Sequence, residues 1–497
     1  MRKSEILFDA VTNVREDLVE GAQRFSFARA RERRLRRLIP TAAGLVLVAG
    51  LGIFLAAGGL RMGAGMGADN GAGSSTAGGS DGGSWDGGAE NGALADSPEG
   101  PAFTDTAGPI LPLTLLEENG AITAERTVEL DFDGWGAKRD LWEDHWRVGV
   151  TDRYTLTNSA DTDQSVTLLY PVTGNLRDLD APAITVDGET AETGMAVGAA
   201  MDREESALWE NWAALLADEG YLSAALDGAG ELSGMEAIVY TVSGQRGPAG
   251  EDAATLALEF TYDPAKTTVL QYGFHGMSRE TGEVTRYAAS GFVSAGGDWL
   301  LIVLGEDIEN PRLQGYEDGG CDPGEELSTV TGTLSRREAT LAEALRQAAA
   351  DYWDALTGGR KAYDADLARV VFLAAVEADQ VWRQAEESPM LEDSFTWSRE
   401  WGRVVWFTAQ VTIPAGESLQ VEAAYTKAAS LNFGPGDMAY KDLCGYELLT
   451  LAGSNLTFTG QTARVENLGE DAVLGGNLPL GETDLTDEAY HLYLAVR

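Results

Sequence analysis

The sequence predicts a mainly β protein with helical insertions, an α+β chain held by one transmembrane helix. Three observations predict it. An uncharged apolar run occupies residues 39–60. Beyond a Gly-rich stretch lie many segments of alternating apolar and polar residues, separated by turn formers. Two stretches among them, residues 206–226 and 334–382, instead repeat apolar residues at helical spacing.

From Ile39 to Leu60 no residue carries a charge. As a helix the run is about 33 Å long, enough for a hydrocarbon core of about 30 Å. Pro40 falls in the first turn, where its missing N–H costs little. A cleavable secretory signal would have a shorter apolar core of roughly 7–15 residues behind a short basic leader, so the run reads as an uncleaved anchor. Seven arginines lie between Arg24 and Arg37, whereas the far flank offers only Arg61 before a long stretch without Lys or Arg. Positive charge is retained in the cytoplasm. The expected location is therefore the cell membrane, single-pass through residues 39–60, with the N-terminus cytoplasmic and the bulk of the chain extracellular.

Net charge agrees with that division. The whole chain stands at −43, with 36 basic and 79 acidic residues, yet residues 1–61 hold 11 basic and 6 acidic ones. The acid therefore lies beyond the anchor, which argues against nucleic acid and anionic headgroups as partners of that part.

Six regions follow. Residues 1–38 form a cytoplasmic amphipathic and basic segment. Its Leu7, Val11, Val14, Leu18, Ala22 and Phe25 recur at steps of four and three, one face of a helix. A lone helix of this length is marginal in water, so the face should rest on a cytoplasmic protein partner, another copy or the membrane surface, unless the segment serves only as a topology signal; the sequence leaves these open. Residues 39–60 are the transmembrane helix. Residues 61–104 form a flexible Gly/Ala/Ser/Asp linker, unable to bury enough apolar surface to order itself.

The remaining three regions are expected to be globular. Residues 105–330 read as a β-rich module with a helical insert, in which Arg147–Val172 has the pattern of a hairpin around the turn "SADTD". Residues 206–226 are helical with a break near Gly220. Residues 331–390 read as a helical hairpin whose start is marked by Ser335 and Glu338, a capping-box spacing. Residues 391–497 read as a second β-rich module containing "VTIPAGESLQVEAAYT". Such strands at close spacing suggest β-sandwich modules.

Motifs for chemistry are sparse, and the sequence supports neither a catalytic residue, a metal ligand nor a cofactor. His145, His275 and His491 lack metal-site spacing, and the chain has no G-x-S-x-G elbow or P-loop. Asp131, Asp133, Asp140, Asp161 and Asp163 do not follow the EF-hand pattern and read as turn aspartates. Cys321 and Cys444 are the only cysteines. Outside a cell they could bridge a long loop, but the sequence does not show whether the sulfurs meet. Tryptophans cluster as Trp135, Trp142 and Trp146; as Trp209 and Trp212; and as Trp397, Trp401 and Trp406. Exposed beside carboxylates they would suit a saccharide-binding face, whereas core packing is the commoner fate of tryptophan.

A short helix like "MRKSEILFDAVTNVREDLVEGA", a basic patch, a membrane helix, a low-complexity linker and a β-rich ectodomain together resemble uncharacterised single-pass surface proteins of Gram-positive anaerobic bacteria. "DRYTLTNSADTDQSVTLLYPV", with Asn158 at its turn and Tyr170-Pro171 closing its second strand, resembles the first hairpin of such ectodomains. Some proteins of this plan are membrane-bound anti-sigma factors, and the resemblance implies that residues 7–25 hold a transcription factor. The chain departs from the zinc-binding type in having neither Cys nor His before the anchor. The function expected is a non-enzymatic, membrane-anchored extracellular protein that senses or binds a ligand of unknown identity at the envelope. A structural or adhesive surface protein is the alternative, and an envelope hydrolase is a third.

Overall fold

The computed structural model describes residues 103–495, apart from 106, 136–146, 202–204, 229–231, 249–252, 281–284, 357–364, 386–388 and 434–442. The expected anchor at 39–60, the linker up to residue 102 and the face formed by Leu7, Val11, Val14, Leu18 and Phe25 lie outside these residues; the last two expected linker positions, Phe103 and Thr104, belong to a β-strand. Among the described residues no helix is long and apolar enough to cross a membrane.

The chain opens with β1 (Phe103–Asp105), β2 (Thr114–Leu115), β3 (Ile122–Asp131), β4 (Arg147–Asn158), β5 (Gln164–Gly174), β6 (Ala183–Val186), β7 (Glu189–Thr190) and β8 (Gly194–Val197). Two short helices follow, α1 (Trp209–Leu216) and α2 (Glu219–Asp227). Next come β9 (Glu236–Arg246), β10 (Thr255–Tyr262), β11 (Thr267–Tyr272), β12 (Gly276–Glu280), β13 (Thr285–Phe292), β14 (Trp299–Gly305), β15 (Glu309–Tyr316) and β16 (Thr331–Thr340). Helices α3 (Leu341–Leu356), α4 (Ala365–Ala378), α5 (Val381–Gln384) and α6 (Leu391–Glu400) precede the last strands. Those are β17 (Arg403–Ile413), β18 (Ser418–Ala428), β19 (Leu431–Phe433), β20 (Leu443–Leu449), β21 (Thr457–Glu466), β22 (Val473–Gly476), β23 (Gly481–Asp484) and β24 (Ala489–Ala495). The protein is mainly β with several sheets, as the alternating patterns predict.

The first sandwich is woven from both ends of the chain. One sheet runs β2-β5-β17-β8 and the other β23-β21-β3-β4-β18-β6-β7. The expected hairpin Arg147–Val172 is therefore an arch: β4 pairs with β3 and β18, while β5 pairs with β2 and β17 in the other sheet. Strands β17 and β18 form a second arch of the same kind. Asn158 explains why the chain crosses between layers rather than folding flat. Fully buried, it donates through Nδ2 to the carbonyls of Thr162, Ile413 and Pro414, so one side chain closes both arches. This weaving also crosses the expected boundaries at 330 and 391, because β17 and β18 complete sheets begun before residue 200.

The second sandwich is contiguous. Sheets β11-β14-β9-β16 and β12-β13-β10-β15 enclose Leu256, Phe260, Tyr287, Trp299 and Leu301. Strand β14 is buried on both faces. Trp299, Leu301 and Val303 enter this core, whereas Leu300, Ile302 and Leu304 join the large core that contains α3, α4 and α6. The helices thus fill the space between the two sandwiches.

The helical hairpin begins later than its sequence suggests. Ser335 and Glu338 lie in β16, which pairs antiparallel with β9 from Thr331 to Thr340. Sheet pairing overrides the helical bias of that stretch. A capping box does open α3, one turn further on: Glu343 N–H donates to Thr340 Oγ1, and Thr340 N–H donates to the Glu343 carboxylate. The break in the earlier helix likewise falls at Asp218, whose carboxylate caps α2 through Gly220 N–H.

The least regular feature is a strap, residues 107–115, buried throughout. Most of it lies outside the sheets, so its polar backbone must find other partners. Lys427 donates to Ala107 O, and Thr173 Oγ1 to Pro109 O. Ile110 exchanges backbone hydrogen bonds with Glu447 and Leu449. Arg126 donates to Leu111 O, Tyr154 OH accepts from Leu113 N–H, and Asn455 both accepts from Leu115 N–H and donates to its carbonyl. Pro109 and Pro112 bring no N–H to satisfy. Gly108, at φ +68°, lies under the Trp212 indole, and a Cβ there would fall 2.6 Å from the ring.

Arg126 is the centre of this arrangement. It is fully buried and forms a two-pronged ion pair with Asp152, at 2.8 and 3.0 Å, while its remaining N–H groups reach Leu111 O and Leu449 O. Tyr154 and Tyr170 also donate to Asp152. Replacing only one partner leaves a buried charge without its counterion. Arg126→Met or Asp152→Leu alone is expected to cost about 3–5 kcal/mol in urea unfolding, and the double variant less than the sum of the two.

Candidate functional site

The sequence candidates are dispersed. His275 lies in the loop after β11, its N–H donating to Ser290 O, and its ring lies 5.8 Å from that of Phe292. His491, on β24, is buried with Nδ1 3.2 Å from Glu447 Oε1 and its ring stacked on Tyr493. His145, Asp140, Trp142 and Trp146 lie outside the described residues. Asp131 and Asp163 behave as turn residues: Asp131 accepts from Asp133 N–H and Asn467, and Asp163 from Ala415 N–H. No group of three or more His, Cys, Asp or Glu side chains placed to hold a metal ion occurs among the described residues.

The two cysteines are not bridged. Cys321 is a half-buried free thiol in the loop after β15, and Cys444 is a buried free thiol on β20 in the five-stranded sheet β1-β19-β20-β24-β22. Burial raises the pKa of both thiols, keeping them protonated. Nucleophilic chemistry needs the opposite shift.

Several charged groups that the sequence reading missed lie deep inside. Arg126 is one, and Asp379 is another. Asp379 follows α4 and receives Arg403 at 2.9 Å through both guanidinium nitrogens, Ser398 Oγ at 2.6 Å and Ala200 N–H at 2.7 Å. Arg403 also donates to Ser398 O and Gly198 O. This one cluster ties the end of α4, the end of α6 and the start of β17 to the loop after β8.

Lys427 is the third. Its inward position on β18 continues the series Val421, Ala423 and Tyr425, and its Nζ reaches Ala107 O at 2.6 Å and Thr173 O at 3.2 Å. Burial lowers its pKa to about 7, with Arg147 acting in the same direction and Asp178 and Glu447 against it. A neutral amine has two N–H donors, matching the two carbonyls.

Alternation could have exposed these groups. In "ITAERTVELD" Arg126 falls in phase with the inward Ile122, Ala124, Val128 and Leu130. In "RVGVTDRYTLTN" Asp152 falls in phase with Val148, Val150, Tyr154 and Leu156. A charge on the core side of each neighbouring strand signals a buried pair.

The tryptophans divide. Trp212 and Trp406 are buried, Trp209 is partly covered with its ring 6.3 Å from that of His491, and Trp135 donates to Tyr446 OH. Core packing therefore accounts for most of them. Trp397 differs: it is 45% exposed on α6, and its ring is parallel to Trp401 within 8°, with centroids 6.2 Å apart. Arg399 and Glu400, paired at 2.8 Å, lie between the two in sequence. The exposed Trp397, with the partly buried Trp401 stacked parallel to it and the Arg403–Asp379–Ser398 cluster adjoining both in sequence, is the candidate binding surface. Compared with known proteins, the chain matches no family, no curated protein and no solved structure.

Lys427 gives the interior a pH dependence of defined sign. Between about 7 and the ordinary lysine value of 10.5, the unfolded chain holds a proton that the folded chain lacks, so folding gains stability as pH rises through that window. Below about 7 both states are protonated and the burial cost is complete. Urea unfolding of the wild type and Lys427→Met at pH 6 to 9 is expected to show the wild type gaining on the variant above pH 7; a constant difference contradicts the assignment.

Proposed function

We propose that the protein is a non-enzymatic, single-pass membrane protein whose acidic, β-rich ectodomain binds a ligand at the cell envelope and passes the event to the cytoplasmic helix in an anti-sigma-like manner. The observation that carries this reading is the strap. Strand β1 pairs with β19 at the end of the Gly-rich linker, and residues 107–115 then run through the ectodomain core. A chain pulled from the membrane side would load the core directly rather than a loose end.

The buried polar groups support a binding role in preference to catalysis. Arg126, Asp152, Arg403 and Asp379 are committed to one another and to backbone partners, and Lys427 to two carbonyls. Each has the partners of a structural group rather than those of an acid or base poised at an open site.

Protease added to intact cells producing the full chain tests the topology. It is expected to remove the ectodomain while residues 1–38, followed by an N-terminal tag, remain protected inside. An ectodomain that survives until the cells are lysed contradicts the reading.

A further inference from the structure

We propose that Trp397 and Trp401 form a stacking platform for a neutral saccharide, an inference that rests on the ectodomain's being a binding module at the envelope. Helix α6 buries Leu391, Ser394, Phe395 and Ser398. Trp397 occupies its outward side, where a large apolar ring is normally unfavourable. The helix stops at Glu400. Trp401 then takes an extended conformation while its N–H still donates to Trp397 O at 3.1 Å, and this fixes the two indoles in parallel.

The platform is held before any ligand arrives. Ser398, between the two tryptophans in sequence, donates to Asp379, and Arg403, two residues beyond Trp401, binds both Asp379 and the Ser398 carbonyl. The helix end therefore cannot rotate without breaking the hydrogen bonds that tie Ser398 to the buried Arg403–Asp379 pair. A site organised in advance loses less entropy on binding.

The chemistry of the surface selects the ligand class. A pyranose presents an apolar face of C–H groups bordered by hydroxyls, and the exposed Trp397 indole, backed by the Trp401 ring stacked parallel to it, offers an apolar surface to that face. Arg399 and Glu400 supply donors and acceptors for the hydroxyl border. The net charge of −43 opposes a polyanionic glycan. Arg399 and Glu400 offset each other locally, and the exposed Asp393 one turn before Trp397 is the reason choline is included among the probes.

Full-length protein in detergent micelles tests this by calorimetry and tryptophan fluorescence. The probes are neutral hexose and N-acetylhexosamine oligosaccharides, a sulfated polysaccharide, and choline. Neutral oligosaccharides are expected to bind. Trp397→Ala and Trp401→Ala should each weaken binding by about tenfold or more, with Trp397→Phe retaining most of it. Circular dichroism establishes that each variant is folded. Binding of choline or the sulfated polysaccharide alone, no binding of neutral oligosaccharide, or affinity unchanged in both folded alanine variants overturns the proposal. Protease accessibility of the ectodomain on intact cells separates failure of this site from failure of the underlying reading: a stripped ectodomain without saccharide binding removes the platform only.

Discussion

Buried backbone that joins no sheet must still satisfy its N–H and C=O groups, and the first sandwich is organised around that requirement. The strap at residues 107–115 brings peptide groups into the core, and the side chains around it are those able to meet them. Arg126, Tyr154, Thr173, Lys427 and Asn455 each complete a bond to it. An arginine inside a β-sandwich is unfavourable by itself. Here Asp152 neutralises it, and its remaining donors hold two backbone carbonyls that would otherwise be orphaned.

The same requirement accounts for the weave of the sandwich. Arg126 joins Leu111, before the first arch, to Leu449, after the second. Asn158 joins the two arches directly. Elements 255 and 323 residues apart are thereby linked through single side chains, so neither end of residues 103–495 contains a complete sandwich. The second sandwich, built from one continuous stretch, needs no such links and attaches through β14, whose outward residues complete the helical core.

What the sequence disclosed follows from the range of each signal. Period-two alternation is local, and it placed β3, β4, β5, β17 and β18 closely. Pairing is not local, so "DRYTLTNSADTDQSVTLLYPV" looks like a hairpin although its two strands enter different sheets. The Ser335–Glu338 spacing imitates a helix start, whereas Thr340 and Glu343 supply the real one, because pairing with β9 holds the intervening residues extended. The strap "AGPILPLTL" has neither strand nor helix periodicity, and nothing local marks it as buried. The aromatic pair was visible as residues, but the exposure of Trp397 was not, since Trp397 differs from Trp406 only through the tertiary packing of α6 and β17.

Native-state hydrogen exchange of the strap amides tests this account most directly. The N–H groups of Ile110, Leu113 and Leu115 are each bonded within the core. They should exchange only through global opening, as slowly as the central amides of β4. Exchange at the rate of an exposed loop, with β4 still protected, would contradict the claim that the strap is built into the core.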